Sequence, residues 1–286
     1  MQKRFKFTFY TALLILITLV PLAAQDAEED STGLPGDNFS LQGALEMFKK
    51  ANSPEEFEKL INTKDNNVNN LDLNEDGDVD YVKVIGKKEG DVHAFVLQVP
   101  VSETENQDIA VIELEKTGEE SAVLQIIGDE DIYGEQTIVE PSEEEQEEKG
   151  EGADTEYIIS KKVVVVNVWL WPSVRFVYRP GYVVWVSPWR WKVYPGWWRP
   201  WRPLAWRVFH PLRWHYHRHY AVVKTHRVVR AHKIYAPTRI TSVTVHRKHS
   251  ANVKHYRTTR TTTVKTNKGT VKVKTTKKKT VVKKRR

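Results

Sequence analysis

The chain has 286 residues, 28% of them charged, a formal net charge of +7 and no cysteine. Its length suits one or two domains with cores of their own, and two is the expectation. The lack of cysteine excludes disulfides, thiolate nucleophiles, cysteine-bound metals and lipid-modified cysteines. Packing, hydrogen bonds or another kind of metal site must therefore hold the fold.

The first 24 residues have the order that is typical of a secretory signal peptide. Lys3, Arg4 and Lys6 precede an apolar stretch over residues 7–20, and alanines follow at positions 23 and 24. A retained membrane anchor is the alternative interpretation. Either one predicts that the body of the protein is exported, to the periplasm, the outer surface or the medium.

Acidic and basic residues are almost completely segregated along the chain. Residues 25–156, the acidic half, hold all 37 Asp and Glu with nine Lys and Arg, a formal charge of −28. Residues 157–286, the basic half, hold 32 Lys and Arg and no acid, a formal charge of +32. Such asymmetry predicts that the basic half binds polyanions, and the nearest polyanion is the acidic half itself.

Composition divides the chain further. Residues 25–37 are predicted to be disordered and residues 38–140 to form an acidic α+β domain. The segment 141–156, PSEEEQEEKGEGADTE, has almost no apolar residue, which predicts a flexible linker. Residues 157–257 then form a Trp/Arg/His-rich basic region, and residues 258–286 form a Thr/Lys-rich basic tail.

The acidic half is predicted to begin with two short helices. Ser40 can N-cap the first, which has apolar residues at helical spacing. Ser53 can cap the second, because Pro54 occupies the first helical position and Glu56 completes a capping box.

Strands are predicted after the helices, because the helical period stops at Thr63 and β-type segments follow. These cover residues 79–85, 92–101, 109–115 and 122–127, with a weaker one at 137–139. Short turns with glycine join them, so neighbours should pair as antiparallel hairpins. The predicted fold of this half is α+β, with two helices on one face of an antiparallel meander sheet of four or five strands.

A cluster of oxygen ligands lies between the second helix and the first strand, in LDLNEDGDVDYV at residues 71–82. Hard cations such as calcium bind six to eight oxygens, so the spacing predicts a calcium site. The predicted ligands are the side chains of Asp72, Asn74, Asp76 and Asp80 and the main-chain carbonyl of Asp78. A metal-free acidic turn is the alternative, since Asp, Asn and Gly are ordinary turn formers.

At these residues the stretch resembles the DxNxDGxxD calcium loops of EF-hand, dockerin and FG-GAP proteins. Lys83 stands where an EF-hand has its last, bidentate glutamate. A strand, not a helix, should follow, so the FG-GAP-type loop that relies on Asp80 is the closer match. Because the acids of the loop repel one another, we expect the calcium to be structural.

The basic half is predicted to be mainly β and partly disordered. Its first apolar run, at residues 163–171, is far shorter than the roughly 20 residues that cross a bilayer as a helix. β-branched residues in this run and in residues 182–186 favour two arms of a hairpin that turns near residues 179–181.

Tryptophan, arginine and proline interleave in SPWRWKVYPGWWRPWRPLAWR, residues 187–207, here called the Arg–Trp segment. Arginine stacks on tryptophan and can bind phosphate or carboxylate, so the segment suits anionic lipids, lipopolysaccharide or single-stranded nucleic acid. The predicted contacts are Trp197, Trp198, Arg199, Trp201, Arg202 and Arg207. An aromatic packing cluster is the alternative, and the two can coexist.

His215, His217 and His219 alternate, so a strand would place all three on one face, where imidazoles could bind zinc, copper or nickel. The basic half has no carboxylate to complete such a site, so a pH-sensitive positive patch is an equal alternative.

The sequence of residues 258–286 predicts a hairpin around Asn267-Lys268-Gly269 and then a disordered tail. Such a tail binds polyanions without reading base sequence.

No common catalytic, phosphate-binding or dinucleotide-binding motif occurs. We therefore expect a non-enzymatic, exported protein that binds anionic polymers or an anionic membrane surface through its basic half. Lipopolysaccharide, extracellular DNA and acidic polysaccharide fit, without sequence-specific recognition of nucleic acid. The alternative is a structural, self-assembling envelope protein in which acidic and basic halves pair within or between molecules. The whole looks like secreted proteins common in Gram-negative bacteria, which implies export but no activity.

Overall fold

The structure, a computed structural model, describes residues 31–142 and 165–259 and the strands Thr261–Thr266 and Gly269–Lys274. The predicted signal peptide, most of the linker and the last residues of the tail lie outside these ranges. Those predictions stay predictions. No helix within the described ranges combines the length and apolarity that a membrane crossing requires.

Two helices begin the acidic half, α1 at Leu41–Lys50 and α2 at Pro54–Ile61. The Ser40 hydroxyl accepts from the Gly43 amide and the Ser53 hydroxyl from the Glu56 amide, so both predicted N-caps are confirmed. The Glu56 carboxylate accepts from the Asn52 amide, 2.8 Å away, and not from the Ser53 amide. The reciprocal bond of the predicted capping box therefore forms one residue earlier.

Six strands form one antiparallel sheet in chain order. They are β1 Lys83–Glu89, β2 Val92–Pro100, β3 Asn106–Gly118, β4 Ser121–Gly128, β5 Thr137–Pro141 and β6 Tyr220–Val223. A short helix, α3 at Glu130–Tyr133, lies between β4 and β5. The α+β class and the antiparallel meander are thus confirmed. β1 begins later than predicted because Val79 and Val82 bond outside the sheet, to the Trp201 carbonyl and the Asn62 side chain.

The sixth strand comes from the basic half. β6 pairs with β5 from Ile138 opposite Val223 to Pro141 opposite Tyr220. The described residues from Thr32 onward belong to one compact unit. β5 offers a free edge for this pairing, because an unpaired edge presents amides and carbonyls that another strand can bond.

The described basic half is more helical than predicted. It holds α4 Pro172–Val177, α5 Trp206–Leu212, α6 Val229–Tyr235 and α7 Val243–Thr259. The expected mainly β character is wrong for residues 165–259, because Pro172 starts a helix between the two arms of the predicted hairpin. Only Val186 of its second arm pairs, in an isolated bridge to Ile85. The hairpin near the C-terminus is confirmed, as β7 Thr261–Thr266 with β8 Gly269–Lys274.

Both faces of the sheet are covered. On one face, residues of α1, α2 and α4 share a core cluster with alternate strand residues such as Phe95 and Ile112. On the other, Ala94, Val96 and Val111 pack under α6. No pattern in the acidic half predicted that a helix of the basic half would cover this second face. Because α6 covers it, the acidic side chains on this face of the strands are buried.

Residues 31–37 have a defined fold, although they belong to the segment 25–37 that was predicted to be disordered, and residues 25–30 lie outside the described residues. Leu34 and Gly36 are buried, and Pro35–Asn38 form a turn of 3₁₀ helix. A Cβ added at Gly36 would lie 2.4 Å from the Tyr133 ring, so glycine is what lets this ring pack on the backbone.

Candidate functional site

Carboxylates lie on the sheet face that α6 covers. Along β3, Val111 packs under α6 and Ile112 packs towards α1, so Glu113 and Glu115 share the face of Val111. Glu113, Glu115 and Glu140 are 0%, 7% and 3% exposed. A buried carboxylate is costly without hydrogen-bond or charge partners. Residues 225–244 of the basic half supply these partners, and we call this contact the seam.

Glu140 on β5 is held from two directions at the seam. The Gln125 amide nitrogen donates to it over 2.6 Å, and Arg227 Nε lies 3.2 Å from its carboxylate. Gln125 also accepts from the Arg227 main-chain amide at 2.7 Å and donates to the Thr225 carbonyl at 2.9 Å. The sheet therefore fixes the backbone on both sides of His226.

Glu115 caps α6 from another part of the chain. Its Oε1 accepts from the amides of Arg230 and Ala231 at 2.7 and 3.1 Å, and its Oε2 accepts from Arg230 Nε at 2.9 Å. α6 has no capping side chain of its own, because Val228 stands at the N-cap. A carboxylate at a helix N-terminus satisfies free amides and opposes the positive end of the dipole.

Glu113 lies between two histidines. His226 Nε2 is 2.6 Å from Glu113 Oε2, and His232 Nδ1 is 2.6 Å from Glu113 Oε1. Burial raises the pKa of Glu113 to about 9, helped by the Glu115 charge, and burial lowers the pKa of both imidazoles. These shifts favour uncharged forms, in which Glu113 donates to one imidazole and accepts from the other.

The seam continues along the sheet edge with arginine and main-chain donors. Arg239 Nε and Nη2 lie 2.5 and 2.9 Å from the two oxygens of Asp129. Asp108 accepts from the Ile240 amide at 2.9 Å, and Glu105 accepts from the Thr244 amide at 3.0 Å in the first turn of α7. Each acidic side chain here thus orients a different part of the basic half.

The predicted calcium loop is a network of turns closed by its own side chains. Asp72 accepts from the amides of Asp76 and Gly77, at 3.1 and 3.0 Å, and Asn74 accepts from the Asp76 amide at 2.9 Å. Asp80 is buried and accepts from the Leu73 amide at 2.6 Å. Burial raises the pKa of Asp80 to about 8, and the charges of Asp72 and Asp76 add to this. The Asp78 amide donates to the Asp76 carboxylate at 3.0 Å, whereas Lys83 Nζ donates to the Asn106 side chain at 3.2 Å, outside the loop.

Among described residues, one group of three His or acidic side chains brings its ligand atoms within 4.8 Å of one another: Glu113, His226 and His232. The loop carboxylates are not such a group. Calcium at residues 72–80 therefore stays a prediction.

The Arg–Trp segment is packed at its centre and exposed at its rim. Trp198 is only 3% exposed and meets the rings of Tyr81 and Tyr194, with centroids 5.1 and 4.6 Å away, so it offers no surface to a ligand. Trp197 is 46% exposed, and the half-buried Trp201 accepts from the Val79 amide of the calcium-type loop at 2.7 Å. At the centre of the Arg–Trp segment, the structure therefore shows an aromatic packing cluster, which was the alternative interpretation of the sequence.

The arginines of this segment point to solvent. Arg199, Arg202 and Arg207 are exposed, and within the described ranges no carboxylate oxygen lies within 4.0 Å of them. Arg199 donates to the main-chain carbonyls of Trp198 and Gly196, which fixes its orientation without neutralising it.

The three alternating histidines do not share one strand face, because Trp214–Arg218 is a 3₁₀ helix. His215 Nδ1 lies 3.0 Å from the Leu212 carbonyl, and His217 stacks on Trp214 with centroids 5.1 Å apart. His219 follows the helix and is exposed. Sequence reasoning placed the histidine cluster here and missed His226 and His232, whose carboxylate partner lies 113 and 119 positions away.

No family model matches the chain, and no match was found among curated proteins or solved structures.

Proposed function

We propose that the protein is an exported, non-enzymatic protein that binds anionic polymers or surfaces through the rim of its Arg–Trp segment. Lipopolysaccharide, extracellular DNA and acidic polysaccharide are the expected ligand classes. The observation that carries the proposal is the exposed set Arg199, Arg202 and Arg207, which has no carboxylate partner within the described ranges. Trp197 is the exposed aromatic neighbour.

The state of these arginines favours binding for two physical reasons. An exposed guanidinium without a carboxylate keeps its full charge for a phosphate or carboxylate fork. The segment is also anchored by Trp198 and Trp201, so less conformational entropy is lost when a ligand orders it. Phosphate contacts of this kind are independent of base sequence and sensitive to salt.

We further propose that calcium binds Asp72, Asn74, Asp76, the Asp78 carbonyl and Asp80 in a structural role. Burial raises the pKa of Asp80, and the charges of Asp72 and Asp76 raise it further. The repulsion among these acids supports the proposal, because a cation would relieve it. Val79 of the loop donates its main-chain amide to the Trp201 carbonyl, so bound calcium would help to hold Trp201 of the Arg–Trp segment in place.

A structural role through acidic–basic pairing is a second candidate, and the ion pairs of the seam favour it. Arg227, Arg230 and Arg239 pair with Glu140, Glu115 and Asp129 of the same molecule. We therefore propose the intramolecular form, in which the acidic half neutralises one part of the basic half and leaves the Arg–Trp segment available.

The test compares two triple variants of the full chain in binding to a short DNA duplex and to heparin across a salt series. The first variant is Arg199→Gln/Arg202→Gln/Arg207→Gln. The control, Lys224→Gln/Lys233→Gln/Lys254→Gln, removes the same charge from exposed positions elsewhere. We expect the slope of log K against log salt for the duplex to fall by about 2 to 3 in the first variant and by less than about 1 in the control.

Equal changes in both variants would show that net charge alone binds DNA, which rejects the Arg–Trp site. Binding that ignores salt, or no binding by the unaltered chain, rejects the whole proposal. Because both variants keep residues 258–286, the basic tail contributes equally to each measurement.

A further inference from the structure

Glu113 differs from three other buried acids of the seam in the kind of partner that it has, and it differs from Asp108, which accepts from Gln98, Tyr235 and the Ile240 amide, in that both of its partners are imidazoles. Glu115, Glu140 and Asp129 each bind an arginine. Within the described residues, Glu113 has two imidazoles and no lysine or arginine, although its side chain is fully buried. A buried carboxylate is normally neutralised by a cation, by a proton or by a metal ion.

The three side chains already converge on one point. Their ligand atoms, one carboxylate oxygen, His226 Nε2 and His232 Nδ1, all lie within 4.8 Å of one another. Ligands about 2.0 to 2.1 Å from a tetrahedral zinc are roughly 3.4 Å apart. The 2.6 Å contact of the coordinating oxygen to its own imidazole therefore has to lengthen by roughly 0.8 Å, and ligand atoms that are further apart than this have to approach. Both imidazoles can turn outwards, because their side chains are 23% and 28% exposed.

The backbone that carries the imidazoles is fixed by contacts outside the group. His226 lies between Thr225 and Arg227, whose main-chain atoms both bond to Gln125. His232 follows the first turn of α6, which Glu115 caps. Such supporting contacts orient ligands in known metal sites and lower the cost of bringing them together.

We propose that Glu113, His226 and His232 bind a divalent transition-metal ion, with zinc as the expected ion. Two imidazoles and one carboxylate suit zinc, copper, nickel or cobalt, whereas calcium and magnesium prefer oxygen ligands alone. The site is therefore separate in chemistry from the predicted calcium loop. Solvent supplies the remaining ligand on the exposed side of the imidazoles.

Metal binding would join the two halves of the chain. Glu113 belongs to β3, whereas both histidines belong to the segment that covers it. An ion that binds only the folded state stabilises it by RT ln(1 + [L]/Kd). The metal would thus lock α6 onto the sheet, in addition to the arginine pairs of the seam.

The test uses the full chain, freed of metal with a chelator, and titrates it with zinc against a chromophoric competitor. We expect one tight equivalent of zinc, with affinity reduced at least about 100-fold in His226→Ala and in His232→Ala. The double variant His215→Ala/His219→Ala removes two exposed imidazoles and should leave this affinity unchanged. Zinc should raise the melting temperature of the unaltered chain and of this control.

Three results would overturn the proposal: no tight zinc equivalent, unchanged affinity in the His226 or His232 variants, or loss of affinity in the control. If a variant fails to fold, X-ray absorption of the zinc-loaded unaltered chain decides instead. Two imidazoles with carboxylate or water oxygen support the site. A shell of three or more imidazoles, or of oxygen alone, contradicts it.

Discussion

The Arg–Trp segment and the segment 225–257 are both basic, yet the structure uses their cations in opposite ways. In the second segment, Arg227, Arg230 and Arg239 pair with carboxylates of the sheet. In the first, exposed arginines have no acidic partner within the described ranges, and Trp198 packs against Tyr81 instead. The positive charge that they share does not explain the difference, which comes from the surface of the acidic half that each segment covers.

The acid beneath the first segment shows the same difference. Glu58 accepts from Tyr81, Trp185 and Ser187 at 2.8, 3.2 and 2.9 Å. All three donors are uncharged side chains. Burial raises the pKa of Glu58. Aromatic and hydroxyl groups thus satisfy this acid, which leaves the arginines of the segment unused.

The largest expected effect comes from removing one arginine from each segment and comparing the two losses of stability. Arg239→Met leaves the buried Asp129 without its cation and should lower the free energy of unfolding by about 3 kcal/mol. Arg199→Met removes an exposed guanidinium and should change it by less than about 0.5 kcal/mol. Urea unfolding at constant m measures both. Equal losses would show that the seam pairs contribute no more than surface charges.

Low pH should destabilise the fold through His93, which lies on the sheet face that α4 covers. This buried imidazole stacks edge-on against Tyr178, and burial lowers its pKa to about 4 from the usual 6.5. Because the folded pKa is the lower one, the stabilisation is complete above pH 6.5 and is lost as pH falls towards 4. By pH 5 the loss reaches about 2 kcal/mol.

The control for His93 is the substitution His93→Phe, which keeps an aromatic ring between the same neighbours. We expect its free energy of unfolding to fall by about 2 kcal/mol less than that of the unaltered chain between pH 7 and pH 5. Chemical denaturation at the two pH values measures the difference. Identical pH dependence in the two proteins would assign the acid sensitivity to other groups.

Calcium binding has the smallest expected effect on stability. The loop at residues 71–80 contacts both segments. Val79 donates to Trp201, and Lys248 of α7 lies 2.9 Å from Glu75. At free calcium about ten times Kd, binding should stabilise the fold by about 1.4 kcal/mol. Asp76→Asn should abolish the rise in melting temperature and Glu75→Gln should keep it. A melting curve of the unaltered chain that ignores both calcium and chelator would refute calcium binding.

Local signals predicted the acidic half well. The caps at Ser40 and Ser53 and the strand over residues 92–101 depend on neighbours in sequence, and the structure confirms them, with β2 ending at Pro100. β1 was placed too early, because the Asn62 side chain takes the Val82 amide. A side-chain acceptor 20 positions away leaves no local pattern.

The seam could not be predicted in the same way. The predicted fold placed two helices on one face of the sheet and no element on the other, so there was no reason to expect Glu113 to be buried. α6 was missed because its cap, Glu115, lies outside the local window that a helix prediction uses. One global signal did exist: the basic half has no acid, so any buried pair must draw its carboxylate from the acidic half.

The capping of α6 by Glu115 also sets an order of folding. Seven residues without a cap of their own do not hold a helix in water. The amides that need a partner find it only after β3 has paired with its neighbours. Since the acidic half precedes the basic half in the chain, it also emerges first during the proposed export and can assemble before the residues that cover it. The basic half then folds on a surface that was made before it.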